Sequence, residues 1–137
     1  MAHFSDLGTV TQITSGSHIR AVGWLSSTQP FPTGTSDPTF VKKLREMCVL
    51  WQLGLDALQW PVAGGEHTCE FCGVFHASGN LAVPGEGLLF VAPEMIAHYV
   101  TEHGYAPPAP FIEAVLRSPL PGTLEYATAV QPMRAPG

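Results

Sequence analysis

Gly65-Glu66-His67-Thr68-Cys69-Glu70-Phe71-Cys72-Gly73 carries two thiols at C-x-x-C spacing, a histidine two residues ahead and a glycine directly behind. Two intervening residues let one tight turn aim both sulfurs at a single ion, and zinc accepts thiolate and imidazole ligands tetrahedrally. The turn of such a knuckle brings backbone N–H groups toward the sulfurs and drives the residue after the second cysteine to positive φ, which Gly73 adopts without strain. The stretch therefore predicts a zinc knuckle, and the fold is read outward from it.

The remaining ligands come from histidines. After 25 intervening residues Cys72 is followed by His98 and His103 at H-x4-H spacing, inside the three-to-five spacing of Cys2His2 zinc sites. On an ideal helix of 3.6 residues per turn, positions five apart point about 140° away from each other. A shared ion therefore needs the last helical turn to tighten or unwind, which Gly104 permits. If the turn stays regular, His67 or His76 must replace one of the pair. His67 in His-x-Cys-x-x-Cys is the alternative ligand, or else a group that donates toward a sulfur. The expected set is Cys69, Cys72, His98 and His103, holding Zn2+; the thiolate–imidazole mixture suits zinc better than iron.

Two other uses of C-x-x-C fit poorly. A redox pair sits at a helix N-terminus, but Gly73-Val-Phe-His-Ala-Ser-Gly-Asn is no helix start. Zinc-dependent base deaminases carry H-x-E and P-C-x-x-C, whereas Thr68 precedes Cys69 and no His-x-Glu lies upstream. Two thiolates and two imidazoles close a coordination shell, which favours structural zinc. The alternative is a zinc-dependent hydrolase with an open metal site, for which Glu66, Glu70 or Glu102 would act as base. No catalytic residue is assigned.

Composition narrows the rest. The 137 residues suit a single domain, and a 45% hydrophobic, 12% charged chain describes a globular protein. Six basic against eleven acidic residues, net charge −5, make a poor footprint for a phosphate backbone. The helix carrying the histidines has no Lys or Arg to read base edges, so no nucleic-acid partner is expected. No run reaches the roughly 18 apolar residues of a membrane span. Met-Ala-His-Phe-Ser-Asp lacks the basic start and apolar core of a signal peptide. Three cysteines make no disulfide framework, so a reduced, cytoplasmic setting is the expectation.

Along the chain, residues 18–25 read as a strand. Asp37 reads as an N-cap with Pro38 at the first helical position. The stripe Phe40, Leu44, Met47, Cys48, Trp51, Leu55 and Leu58 marks a first helix packed on the core. Residues 80–83 and 88–91 flank a Pro/Gly turn and read as a β-hairpin. A second helix is expected from Pro93–Glu94 to His103, stopped by Gly104. A third spans residues 108–117, residues 123–130 read as a further strand, and 131–137 as a flexible tail. Tyr99, Tyr105, Pro107 and Pro108 form either a contact surface for a protein partner or a packed connector.

The reading is an α+β fold: a small antiparallel sheet, about three helices and a zinc knuckle, in one domain over residues 18–130 after an N-terminal segment 1–17. Knuckle, hairpin and helix in that order loosely resemble the treble-clef zinc folds, although those draw the second ligand pair from the first helical turn. Residues 19–25 (Ile-Arg-Ala-Val-Gly-Trp-Leu), Gly65-x-His67-x-Cys69-x-x-Cys72 and the His98-Tyr99…His103-x-Tyr105-x-Pro107-Pro108 run resemble a family of small uncharacterised bacterial zinc-binding proteins. That resemblance covers about residues 18–117 and implies no activity. The function expected is an accessory or protein-interaction module with structural zinc.

Overall fold

The computed structural model describes residues 3–11, 15–53, 67–77 and 79–134. The elements run β1 (Ile19–Ala21), α1 (Pro38–Gln52), β2 (His67–Thr68), β3 (His76–Ala77), β4 (Asn80–Pro84), β5 (Leu89–Pro93), α2 (Ile96–His103), α3 (Ala109–Arg117) and α4 (Leu124–Arg134). This is the α+β architecture expected, and the Pro/Gly hairpin is β4–β5, closed by Gly85 N–H donating to Leu88 O at 2.8 Å.

The sheet differs from the expectation in one respect. Its order is β1-β5-β4. β4 and β5 are antiparallel, but β1 runs parallel to β5 with Ile19 opposite Leu89, so the sheet is mixed. The chain leaves β1 through α1 and the knuckle before returning as β5, and so long a crossover permits parallel pairing. β5 is the central strand and every one of its residues is buried, which explains a continuous apolar run in place of alternation. Trp24, itself fully buried, donates its indole N–H to Val91 O at 2.9 Å and ties the end of the β1 segment to β5.

Asp37 caps α1 as expected: its Oδ1 accepts from Thr39 N–H at 2.7 Å, and Pro38 opens the helix. Phe40, Leu44, Met47 and Cys48 form the buried stripe; Leu55 and Leu58 lie outside the described residues. α1 packs against α2, α3 and β4.

Two boundaries move. β5 runs through Pro93, which pairs with Asn80, and Glu94 N–H still bonds to Gly79 O at 2.9 Å. The ladder therefore captures the residues expected to open the helix, and α2 begins at Ile96. Residues 124–134 form α4 instead of a strand and a loose tail. Thr123 is the deciding residue, because its Oγ1 accepts from Tyr126 N–H at 3.2 Å while its carbonyl takes Ala127 N–H at 3.1 Å. That is an N-cap followed by a helical hydrogen bond. Tyr126 and Val130, four residues apart, are then fully buried while Thr128 faces out.

The aromatic–proline segment is interior. Tyr99, Tyr105 and Pro107 are all buried, and Tyr105 O–H donates to Asp6 Oδ2 at 2.8 Å. It is a packed connector rather than a contact surface. Asp6 also accepts Gly23 N–H at 3.1 Å, and Phe4 and Leu7 N–H groups donate to Trp24 and Ala21 carbonyls. The N-terminal residues thus lie along the β1 segment.

Candidate metal centre

β2 and β3 pair antiparallel, with Thr68 opposite His76, and the seven residues between Thr68 and His76 make the knuckle. Cys69 N–H donates to Phe75 O at 2.9 Å, closing its base, and Gly73 N–H donates to Cys69 O at 2.8 Å, closing its tip. Gly73 has φ +69°, the left-handed conformation its position demands. A side chain of β-branched shape could not follow there without strain.

The turn gives the two sulfurs different surroundings. Cys69 is completely buried, whereas Cys72 is exposed. Burial raises the Cys69 thiol above its ordinary range, partly offset by the N–H groups of Cys72 and Phe71. Backbone N–H groups of Phe75 and then Val74, with His103 and His98 beyond them, stabilise the Cys72 thiolate and lower it to about 6.

α2 brings the imidazoles. His98 is its third residue and His103 its last. The angular conflict of an H-x4-H pair is resolved at the helix end. Gly104 has φ +67° and donates its N–H to Tyr99 O, five residues back; Tyr105 N–H reaches the same carbonyl at 3.1 Å. A helix bonded i to i+4 leaves positions five apart diverging, but a terminal turn bonded i to i+5 is wider and brings such positions onto one side. His98 Nε2 and His103 Nε2 are 3.1 Å apart. His103 also sits where the carbonyl end of the helix favours positive charge, including a bound cation.

The four side chains meet. Cys69 Sγ lies 3.4 Å from His103 Nε2, and Cys72 Sγ lies 3.4 Å from His98 Nε2. One ligand atom from each of Cys69, Cys72, His98 and His103 falls within 4.8 Å of all the others, a cluster that could hold a metal ion. The side chain of His67 and the whole of Glu66 lie outside the described residues. His76 is not in the cluster; its Nδ1 pairs with Thr68 Oγ1 at 2.9 Å across the β2–β3 ladder.

Two aromatic rings fix the imidazoles, and sequence spacing did not single them out. Phe75 stacks on His98 at 4.3 Å with planes 8° apart, and Phe71 lies 5.4 Å from His103. Their signal was Phe71-Cys72-Gly73-Val74-Phe75, aromatics that flank Cys72 in the knuckle turn. Phe71 further meets Phe31 and Tyr99 edge-on, so the knuckle is anchored to the core from beneath.

Of the expected bases for an open site, Glu70 is committed elsewhere. It accepts Ser27 N–H at 2.9 Å and Ser27 Oγ at 3.0 Å, and the Ser27 N–H in particular holds its carboxyl down at about 2. Glu102 is exposed on α2. A cleft of about 720 Å³ runs beside the cluster between α1, α2 and the knuckle, lined by Cys48, Val49, Val74, Phe75 and Glu102 among others, and Cys72 opens onto it.

A family model described as a domain of unknown function, DUF7919, matches residues 2–116. The chain belongs to that family. As the motif resemblance implied, one family of unknown function accounts for most of the chain, and the DUF7919 segment contains all four clustered residues. No curated protein and no solved structure matches the chain. The treble-clef resemblance is not supported: in this DUF7919 chain His98 lies in the first turn of α2 but His103 lies at its far end. Among the described residues no helix is long and apolar enough to cross a membrane.

Proposed function

We propose that Cys69, Cys72, His98 and His103 bind one Zn2+ in a closed tetrahedral site, and that the ion is structural. The observation that carries this is the spacing of the ligand atoms. Tetrahedral zinc with Zn–S of about 2.3 Å and Zn–N of about 2.0 Å requires N···N edges of about 3.3 Å and S···N edges of about 3.5 Å. The corresponding separations are 3.1 Å and twice 3.4 Å. Three of the six edges thus fall within a few tenths of an ångström of the polyhedron that an ion would impose, and the other three pairs lie within 4.8 Å.

Four protein ligands leave no position for a substrate water, and two thiolates make the ion a weak Lewis acid. Both points favour a structural role over hydrolysis. The ion would clasp the knuckle to α2, adding to the two-residue ladder and the Phe71 contacts. Holding the knuckle there presents Val74 and Phe75, 75% and 36% exposed, across the cleft from the exposed Val49 of α1, which suits an accessory or protein-interaction module.

The test is elemental analysis of the purified chain combined with X-ray absorption at the zinc edge. One zinc per chain with two sulfur and two nitrogen neighbours is the expected result. Absence of zinc, or a shell containing a light oxygen ligand in place of an imidazole, would refute the assignment.

A further inference from the structure

The two cysteines of the cluster are chemically alike but placed very differently. Cys69 is 0% exposed, while Cys72 is an exposed residue at the mouth of the cleft. Both lie in one turn closed by Gly73 N–H on Cys69 O, and their sulfurs are within 4.8 Å. A sulfur pair joined by so short a turn reaches disulfide distance by side-chain rotation and slight closure of the turn. Cys72 is exposed and lines the cleft, where a molecule as small as peroxide can reach it. Resting on the zinc assignment, we propose that Cys72 is an oxidation site at which hydrogen peroxide converts the Cys69–Cys72 pair to a disulfide and releases the metal.

The steps balance. Cys72 Sγ, as thiolate, attacks one peroxide oxygen; an S–O bond forms, the O–O bond breaks and hydroxide leaves. Cys69 Sγ then attacks Cys72 Sγ; an S–S bond forms, the S–O bond breaks and a second hydroxide leaves. The two sulfurs together give up two electrons, which reduce the peroxide, and the hydroxides take up protons as water. The knuckle then offers the ion only His98 and His103 and releases it. Exposure sets the order of attack: Cys69 cannot meet peroxide first, but it is placed to resolve the sulfenic acid formed at Cys72.

Cys48 provides an internal control. It lines the same cleft yet is only 6% exposed, and burial, with Glu94 adding to it, pushes its thiol up to about 12. A thiol kept protonated reacts slowly with peroxide, so Cys48 stays reduced.

The test exposes the zinc-loaded full chain to hydrogen peroxide in the presence of a colorimetric zinc indicator, with dimedone trapping and mass spectrometry of the cysteines. Zinc release in step with a Cys69–Cys72 disulfide, an early dimedone adduct on Cys72, and free Cys48 are expected. Thiol reductant plus zinc restores the starting state. Cys48→Ser releases zinc at the parent rate, and Cys72→His, which keeps four ligands, slows release by on the order of tenfold or more. A chain that holds its zinc through peroxide treatment, or whose first adduct is on Cys69 or Cys48, overturns the oxidation proposal and leaves the zinc assignment standing. A chain that binds no zinc overturns both. The dimedone position is read on the unmodified sequence, so the outcome does not depend on Cys72→His folding.

Discussion

Removing the ion should lower the melting temperature by an amount set by the loops it closes. The proposed clasp joins positions 26 residues apart through Cys72 and His98, and 34 apart through Cys69 and His103. Treated as a cross-link, closure of a loop of 26 to 34 residues removes chain entropy from the unfolded state worth about 3.5–4 kcal/mol at 25 °C. In a domain of this length each kcal/mol moves the midpoint by roughly 3–4 °C, so chelation should cost about 10–15 °C. Free zinc in excess adds further stabilisation by mass action, which makes this a lower figure. The assay is circular dichroism melting of zinc-loaded protein with and without a strong chelator, with metal content measured on both samples. His103→Ala should reproduce the chelated midpoint and become insensitive to chelator. A chain that loses its zinc completely while its midpoint moves by less than about 3 °C would refute the clasp, because the knuckle and α2 would then be held together by their apolar contacts alone.

Two further outcomes follow from local geometry. Gly23→Ala adds a Cβ at φ +79° that lands 2.8 Å from Ile96 Cδ1 and 2.9 Å from its Cγ1; left-handed backbone costs about 1–2 kcal/mol and overpacking about 1–3. Urea unfolding should therefore show a loss of about 2–5 kcal/mol, together with weaker zinc binding because Ile96 opens the helix that carries both histidines; a loss under about 1 kcal/mol would show that α2 shifts freely. In metal-free protein, the Cys72 thiol is depressed to about 6, chiefly by Phe75 and Val74 N–H groups. The thiolate predominates above that value and is lost below it, so the pH profile of iodoacetamide labelling at Cys72 should turn over near 6, and a midpoint near the free-cysteine value of about 8.5 would contradict the N–H···S arrangement.

The pieces of this fold that answer to local chemistry were legible in the chain. Asp37-Pro38 declares a helix start by side-chain capping and a fixed φ; Pro84-Gly85-Glu86-Gly87 declares a turn; Cys69-x-x-Cys72-Gly73 declares a knuckle. Each depends on residues within a few positions of one another. The α4 helix was equally local, since Thr123 caps it, but a run of β-branched and aromatic residues obscured that signal. The parallel pairing of β1 with β5 depends on where a crossover of some 70 residues returns, which no window of sequence contains. Likewise the length of β5 was decided by its partner: Asn80 and Gly79 draw Pro93 and Glu94 into the ladder at the expense of the first turn of α2.

The candidate site divides along the same line. Residue types and spacing marked Cys69, Cys72, His98 and His103, because thiolates and imidazoles are the donors zinc takes and short separations limit how they can turn. Whether two histidines five apart face one another is a property of the helix end, and only the i to i+5 bond from Gly104 to Tyr99 turns them together. Which sulfur is buried was likewise undecidable from a symmetric C-x-x-C. It is settled by the packing of Phe71 against Phe31 and Tyr99, which draws the first half of the knuckle into the core and leaves Cys72 facing the cleft. Local sequence marked the four side chains of the cluster, and long-range packing specified their directions, because chirality and capping act over one turn whereas burial depends on what the rest of the chain brings alongside.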